Sequence, residues 1–193
     1  MKNSFSALSP LLRSDALGLL MASVYLAPDA EFTLSDLAQR SGQSVASVMR
    51  DVDRLVEAEY LSERRVGRSR LVSVNKEHPL YLQFSAVFIH SHGPLAVIPN
   101  MLKEVSGLES AFIFGSWASR YRGTAGPSPQ DVDVLLIGEP KLSAVSKFST
   151  KASDLLLREV NPVVVSANDW KNQSSAFLKT LAKSELVNVL NRD

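Results

Sequence analysis

The 193-residue chain contains no cysteine. That absence excludes disulfides, thiolate metal centres and a cysteine nucleophile together. Histidine is nearly as scarce, with only His78, His90 and His92. The last two form an H-x-H pair, but without a thiolate to complete a zinc site they read as helix-end or loop residues. No apolar run approaches the ~20 residues that span a bilayer. No charged-then-apolar leader opens the sequence, so the expectation is a cytoplasmic protein with no membrane partner. An apolar content of 45% and a charged content of 21% are those of an ordinary globular chain, long enough for one large domain or two small ones.

A strong excess of one charge is also missing, the formal net charge being only +1. The total hides an uneven distribution. Between Leu61 and Lys76, the cations Arg64, Arg65, Arg68, Arg70 and Lys76 face a single acid, Glu63. Local density of this kind is what a polyanion responds to.

Helical spacing of Leu17, Leu20, Met21 and Val24 predicts a first helix over Asp15–Leu26, stopped by Pro28 and Asp29. A short amphipathic segment, Thr33 to Arg40, follows behind a Thr or Ser cap and is broken by Gly42. Ser44 then caps a helix whose apolar positions Val45, Val48, Val52, Leu55 and Val56 repeat at threes and fours. Two helices across a tight glycine turn make a helix-turn-helix, with the second as recognition helix. Tyr60–Val66 and Ser69–Val74 read as antiparallel strands joined at Gly67-Arg68, a wing. Gln43, Ser44, Ser47 and Arg50 lie at the start of the recognition helix and Arg54 a turn further on, where base edges or phosphates are reached. The wing arginines Arg64, Arg65, Arg68 and Arg70 suit phosphates or a minor groove. Against this, Asp51, Asp53, Glu57 and Glu59 on the same helix would weaken contact with DNA if they faced it.

The stretch FTLSDLAQRSGQSVASVMRDVDRLVEAEYLSERRVGRSRLVSVN resembles the winged-helix repressors of the arsenic-repressor type, over roughly Ser9 to Asn75. The resemblance implies double-stranded DNA as partner and a homodimer as the acting form. Metal-responsive release through cysteines, which that family's founding members use, has no residues to work with here.

His78-Pro79 closes this first domain, and Leu80–Ile89 reads as a connecting helix. Another helix is expected over Leu95–Val105, with Pro99 in its first turns. Further on, Ala111–Phe114 reads as a buried strand, Gly115-Ser116 as a sharp turn, and Trp117–Tyr121 as the start of a helix. A Gly/Pro-rich loop, Gly123–Pro129, leads into the strand Asp131–Ile137. Alternation places Asp131 and Asp133 on one face of that strand and sends Val132 and Val134 into the core. Paired carboxylates make a hard-oxygen site suited to Mg²⁺. Gly115 permits close approach of a phosphate, and Ser116 with the following amides supplies donors at a helix start. The combination describes a site for a metal–nucleoside triphosphate, with in-line phosphoryl or nucleotidyl transfer as its natural reaction.

FGSWASRYRGTAGPSPQDVDVLL resembles the minimal nucleotidyltransferases of the DNA polymerase beta superfamily, with the likeness running from about Pro94 to Leu190. It implies triphosphate contacts at Gly115 and Ser116, help from Arg120, and metal ligation and catalysis through Asp131 and Asp133. Active members carry a third carboxylate on a later strand. The matching position in Glu159–Val165 is Asn161, whose amide can neither take a proton nor add negative charge. Glu159, two positions earlier on the same strand face, is the substitute candidate. Large aromatics such as Trp117 and Trp170 read as packing anchors before base platforms. The terminal region from Ser166 reads as helical to near Leu190, with Leu178, Leu181, Leu186 and Leu190 as core or dimer surface.

The fold expected is therefore α+β in two domains. Residues 1–78 form the winged helix, 79–93 a connecting helix, and 94–193 a nucleotidyltransferase-like mixed sheet with flanking helices. Three functions compete. The first is a transcriptional regulator whose second domain senses a Mg²⁺-bound nucleotide with little or no catalysis. The second is an active nucleotidyltransferase, including an antitoxin that nucleotidylates a partner toxin and represses its own operon. The third is a plain interaction module. The wing arginines favour the first two, and Asn161 favours the first over the second.

Overall fold

The computed structural model describes residues 11–124 and 129–190. The beginning of the winged-helix resemblance and the middle of the Gly/Pro-rich loop lie outside them. The chain divides into two compact units, Met1–His92 and Gly93–Asp193.

In the first unit α1 (Asp15–Tyr25) is capped by Ser14, whose hydroxyl accepts from the Leu17 amide. A two-residue strand β1 (Phe32–Thr33) leads directly into α2 (Leu34–Ser41). Thr33 and Asp36 bond reciprocally to each other's backbone amides, a capping box that fixes where α2 begins. Gly42 ends α2 at φ +66, a left-handed conformation that costs a residue without Cβ nothing. Ser44 then caps α3 (Val45–Glu57). The strands β2 (Leu61–Val66) and β3 (Ser69–Val74) pair antiparallel around Gly67-Arg68, with Arg65 opposite Arg70 and Val66 opposite Ser69. With β1 on the other side of β3 the sheet order is β1-β3-β2. This is the winged helix-turn-helix arrangement. In its core Leu20, Val24, Leu37, Val48, Val52 and Val72 are fully buried, each contributing roughly 1.5–3 kcal/mol of transfer free energy.

The connecting helix is α4 (Tyr81–His92). Tyr81, Phe84 and Phe88 pack around Tyr25 with ring centroids 5.2 to 6.1 Å away, which ties α4 into the core of the first unit. Burial pushes the Tyr25 hydroxyl up to about 12.

The second unit opens with α5 (Pro94–Leu102), where Pro94 suits the first helical position and Pro99 lies inside the helix without a backbone donor. Then follow β4 (Leu108–Phe114), α6 (Gly115–Tyr121), β5 (Asp131–Gly138), α7 (Leu142–Leu156), β6 (Glu159–Val165), α8 (Ala167–Asn172), α9 (Ala176–Leu181) and β7 (Val187–Asn188). The sheet order is β6-β5-β4-β7, with β5 and β6 parallel and the other pairs antiparallel. Both faces are covered. Val132, Val134 and Leu136 alternate with Leu135 and Ile137, and all are buried. The second set packs with Leu181, Trp170, Phe112 and Val163. The terminal region departs from the helical expectation after Leu181. Val187 and Val189 alternate as strand residues do, and β7 pairs with Phe112 and Ile113 of β4, which a continued helix could not.

Candidate functional site

The structure brings the DNA-directed candidates together on α3 and the wing, and divides them into two kinds. Ser47, Arg50 and Arg54 form a stripe along α3, and with Gln43 they line a cavity of about 330 Å³. Ser44 is spent on capping and on a hydrogen bond to Ser47. On the wing, Arg65 and Arg68 make no ion pair among the described residues, whereas Arg64 and Arg70 do. Arg64 forks onto Glu31, 2.5 Å from Nε to Oε1, and holds that carboxyl below its ordinary range. Arg70 reaches Asp53 at 2.5 Å and also Glu63, with only 18% of its side chain exposed. These two arginines fasten the wing, and Arg70 is half-way to being a core residue. Of the four wing arginines expected to meet phosphates or a minor groove, Arg64 and Arg70 are thus engaged in ion pairs within the fold.

The acids that argued against DNA contact are also accounted for in part. Asp51 is 5% exposed and paired to Arg13 at 2.7 Å, and Asp53 is the partner of Arg70. Arg13 was not legible as a site residue. It precedes the α1 cap by one position, but its partner is 38 residues away.

In the second unit, Asp131 and Asp133 lie at the start of β5 on one face, level with Glu159 and Asn161 of parallel β6. Phe114, the last residue of β4, is the register partner of Asp133. The next residue, Gly115, turns the chain at φ +67. A Cβ there would stand 2.9 Å from Asp133 Oδ2, so only glycine lets the turn press against this carboxylate. Burial, and next the charge of Asp131, push the Asp133 carboxyl above its ordinary range, while a hydrogen bond from Asn161 acts the other way. Asn161 Nδ2 also donates to Asp131 Oδ2 at 3.3 Å.

A divalent cation fits this donor set in one respect, since a positive charge would relieve the crowding of the Asp133 carboxylate by the charge of Asp131. In another respect the set is incomplete. Among the described residues no three His, Asp or Glu side chains converge as a metal cluster, and Glu159 lies in register with Asp131 on the neighbouring strand. Ser116 is exposed beside Gly115. Arg120 falls in the last turn of α6, the helix that begins at Gly115. Trp117 is 2% exposed and lies under the Arg158 guanidinium, 5.6 Å from ring centroid to Cζ. Trp170 packs on Phe112. The exposed aromatic near the acidic pair is instead Phe177, edge-on to Phe114 at 6.4 Å and 48% exposed. Only its position after the Ser175 cap of α9 distinguished it in the sequence. His90 and His92 end α4 and join no metal cluster among the described residues.

No helix among the described residues is long and apolar enough to cross a membrane. No protein-family model matches the chain, and no curated protein matches it. Among solved structures, 44% of the chain is similar to the reduced form of MarR from E. coli, at 23% identity over 59% of that chain and a TM-score of 0.33. A mutant MarR from E. coli complexed with operator DNA matches 42% of the chain, at 20% identity over 59% of its length and a TM-score of 0.34. The adhesin competence repressor AdcR of Streptococcus pyogenes matches 46% of the chain, at 21% identity over 66% of its length and a TM-score of 0.37. The chain thus spans between 59% and 66% of the length of these structures. The winged-helix assignment rests on the element order and strand register above.

Proposed function

We propose that the protein is a DNA-binding transcriptional regulator that docks α3 and the wing on duplex DNA. Its second unit then serves as a binding site for a metal–nucleoside phosphate, with little or no transferase activity. The observation that carries the first part is the division of charges on the winged helix. Arg54, Arg65 and Arg68 have no carboxylate partner among the described residues, while Asp51 and Asp53 are neutralised by Arg13 and Arg70. Unpaired guanidinium groups on a recognition helix and its wing release counterions when they meet phosphates, which is the sequence-independent source of DNA affinity. A homodimer follows as the acting form if the site has two half-sites.

For the second unit, Asp131 and Asp133 would hold Mg²⁺, with the amide oxygen of Asn161 as a neutral further donor and Gly115-Ser116 against the phosphates. Bound there, the cation would neutralise phosphate charge and orient the phosphates. Asn161 cannot accept a proton from an attacking group, and this favours sensing over transfer. Phe177 supplies an exposed ring beside the strand end, where a base can stack.

The test is fluorescence anisotropy of the full chain on a random-sequence duplex as salt is varied. Affinity should fall steeply with salt, and an Arg65→Ala/Arg68→Ala double variant should reduce the slope of log K against log salt by about 2. An unchanged slope would sink the DNA reading. In parallel, calorimetry with Mg²⁺ and each of ATP, GTP, CTP and UTP should show binding that Asp131→Asn/Asp133→Asn loses. Transfer of label from an alpha-labelled nucleotide, dependent on both aspartates, would hand the decision to the active-transferase reading.

A further inference from the structure

The cavity at the foot of α3 is lined by Arg13, Ser14, Gln43, Ser47, Arg50, Asp51 and Arg54. We propose that it is a seat for one backbone phosphodiester of duplex DNA, with Arg13 as a phosphate ligand from outside the recognition helix and Asp51 as the residue that positions it. The inference rests on the DNA-binding reading and adds to it one phosphate ligand, Arg13, that lies outside both α3 and the wing.

The lining is an anion's complement. Three guanidinium groups stand against one carboxylate, and that carboxylate is committed to Arg13 at 2.7 Å. The remaining polar groups have hydrogens to give. Gln43 Nε2 is buried without a hydrogen-bond partner. The Ser14 oxygen accepts from the Leu17 amide, and the Ser47 oxygen accepts from Ser44, the Ser47 amide being bonded elsewhere. Both hydroxyl protons therefore remain available. A buried unpaired donor is costly, and an acceptor brought within its reach recovers part of that cost. At about 330 Å³ the space is far larger than the ~30 Å³ share of a single water.

The Arg13–Asp51 pair gives the seat its geometry. Asp51 is 6% exposed in its side chain and Arg13 is 64% exposed, so the acid is anchored in the protein while the guanidinium keeps its outer edge in solvent. Five N–H donors allow a guanidinium to hold a carboxylate with one edge and a phosphate with another. A phosphodiester is favoured over a free anion because Ser47, Arg50 and Arg54 belong at once to the cavity and to the α3 stripe. A duplex lying along that stripe brings a phosphate to the cavity without further cost in translational freedom.

The experiment measures anisotropy of a random-sequence duplex, between 50 and 200 mM salt, for wild type, Arg13→Ala and Asp51→Asn. Melting curves establish that each variant is folded. Arg13→Ala should bind roughly tenfold more weakly at the lowest salt, with a slope reduced by about 0.9. Asp51→Asn removes a negative charge, which on charge alone would tighten binding; here it should weaken it, because Arg13 loses its anchor. Equal or tighter binding by Asp51→Asn, or an unchanged slope for Arg13→Ala, would overturn the proposal while leaving the DNA reading intact if the wing variants still lower the slope. If wild type does not bind duplex at all, the DNA reading itself fails. Inorganic phosphate, added at matched ionic strength, should displace nothing; competition that Arg13→Ala abolishes would make the cavity a free-anion site and overturn its assignment to DNA.

Discussion

The side-chain amide of Asn161 donates to the carboxylate of Asp131 across 3.3 Å, linking parallel β6 to β5 at the end where the acidic pair lies. An aspartate at this position would lose the donor and add a third negative charge. Asn161→Asp should therefore melt lower than wild type in EDTA, by about 1 kcal/mol, and gain more than wild type from added Mg²⁺. The check is a pair of calorimetric scans per protein, with and without the metal, followed by an alpha-labelled nucleotide transfer assay. Equal metal-induced shifts in the two proteins would remove position 161 from the metal site.

Asp133 makes the opposite prediction for stability. Burial and the neighbouring Asp131 raise its carboxyl above the ordinary range in the folded protein. A group with a raised folded pKa contributes stability that is fully present below its unfolded value and is lost as pH rises through the folded one. At neutral pH the charged carboxylate is therefore a net cost. Asp133→Asn should raise the melting temperature at pH 7 and abolish stabilisation by Mg²⁺, the trade expected of a binding residue. A lower melting temperature without metal would mean that the carboxylate serves the fold.

The winged helix was largely legible because its signals are local. The Thr cap, Gly42, Ser44 and the Gly67-Arg68 turn each act within a few residues, and each falls at the boundary it predicts. The acidic pair was legible for the same reason, since strand alternation alone sets Asp131 beside Asp133. What the sequence concealed depends on partners far along the chain. Arg70 is fixed by Asp53 and Arg64 by Glu31, so identical residue types in one basic run divide into fasteners and spare charges only once the fold is closed. The strand β7 was hidden likewise, because its pairing with β4 overrides a helical reading of a short leucine-containing segment.

That division predicts different phenotypes for neighbouring arginines. Arg70→Ala leaves Asp53 and Glu63 without their partner and frees the wing from α3. Ion pairs of this exposure are worth about 0.2–1 kcal/mol each, so losing both should cost about 0.4–2 kcal/mol. Arg68→Ala should stay within about 0.5 kcal/mol of wild type. Urea titrations of the two variants decide the matter, and equal midpoints would mean that Arg70 does not hold the wing.

His92 gives the first unit a pH dependence on its acid side. The ring sits 5.8 Å from Phe88, its Nδ1 is 2.8 Å from Ser91 Oγ, and it closes over Gly18 of α1. Burial lowers its pKa, and the nearby carboxylate of Asp15 offsets only part of that. A depressed folded pKa means that the unfolded chain takes up the proton first. The neutral ring therefore leaves stability intact above about 6.5, and stability declines as pH falls below that value toward the folded pKa. Melting temperatures should drop between pH 7 and 5 in wild type, beyond any drop in His92→Gln, whose side chain does not titrate. Proton NMR of the ring resonances reads the cause directly: a His92 midpoint below the ordinary histidine value of about 6.5 supports the assignment. A midpoint at or above it would place the acid sensitivity elsewhere.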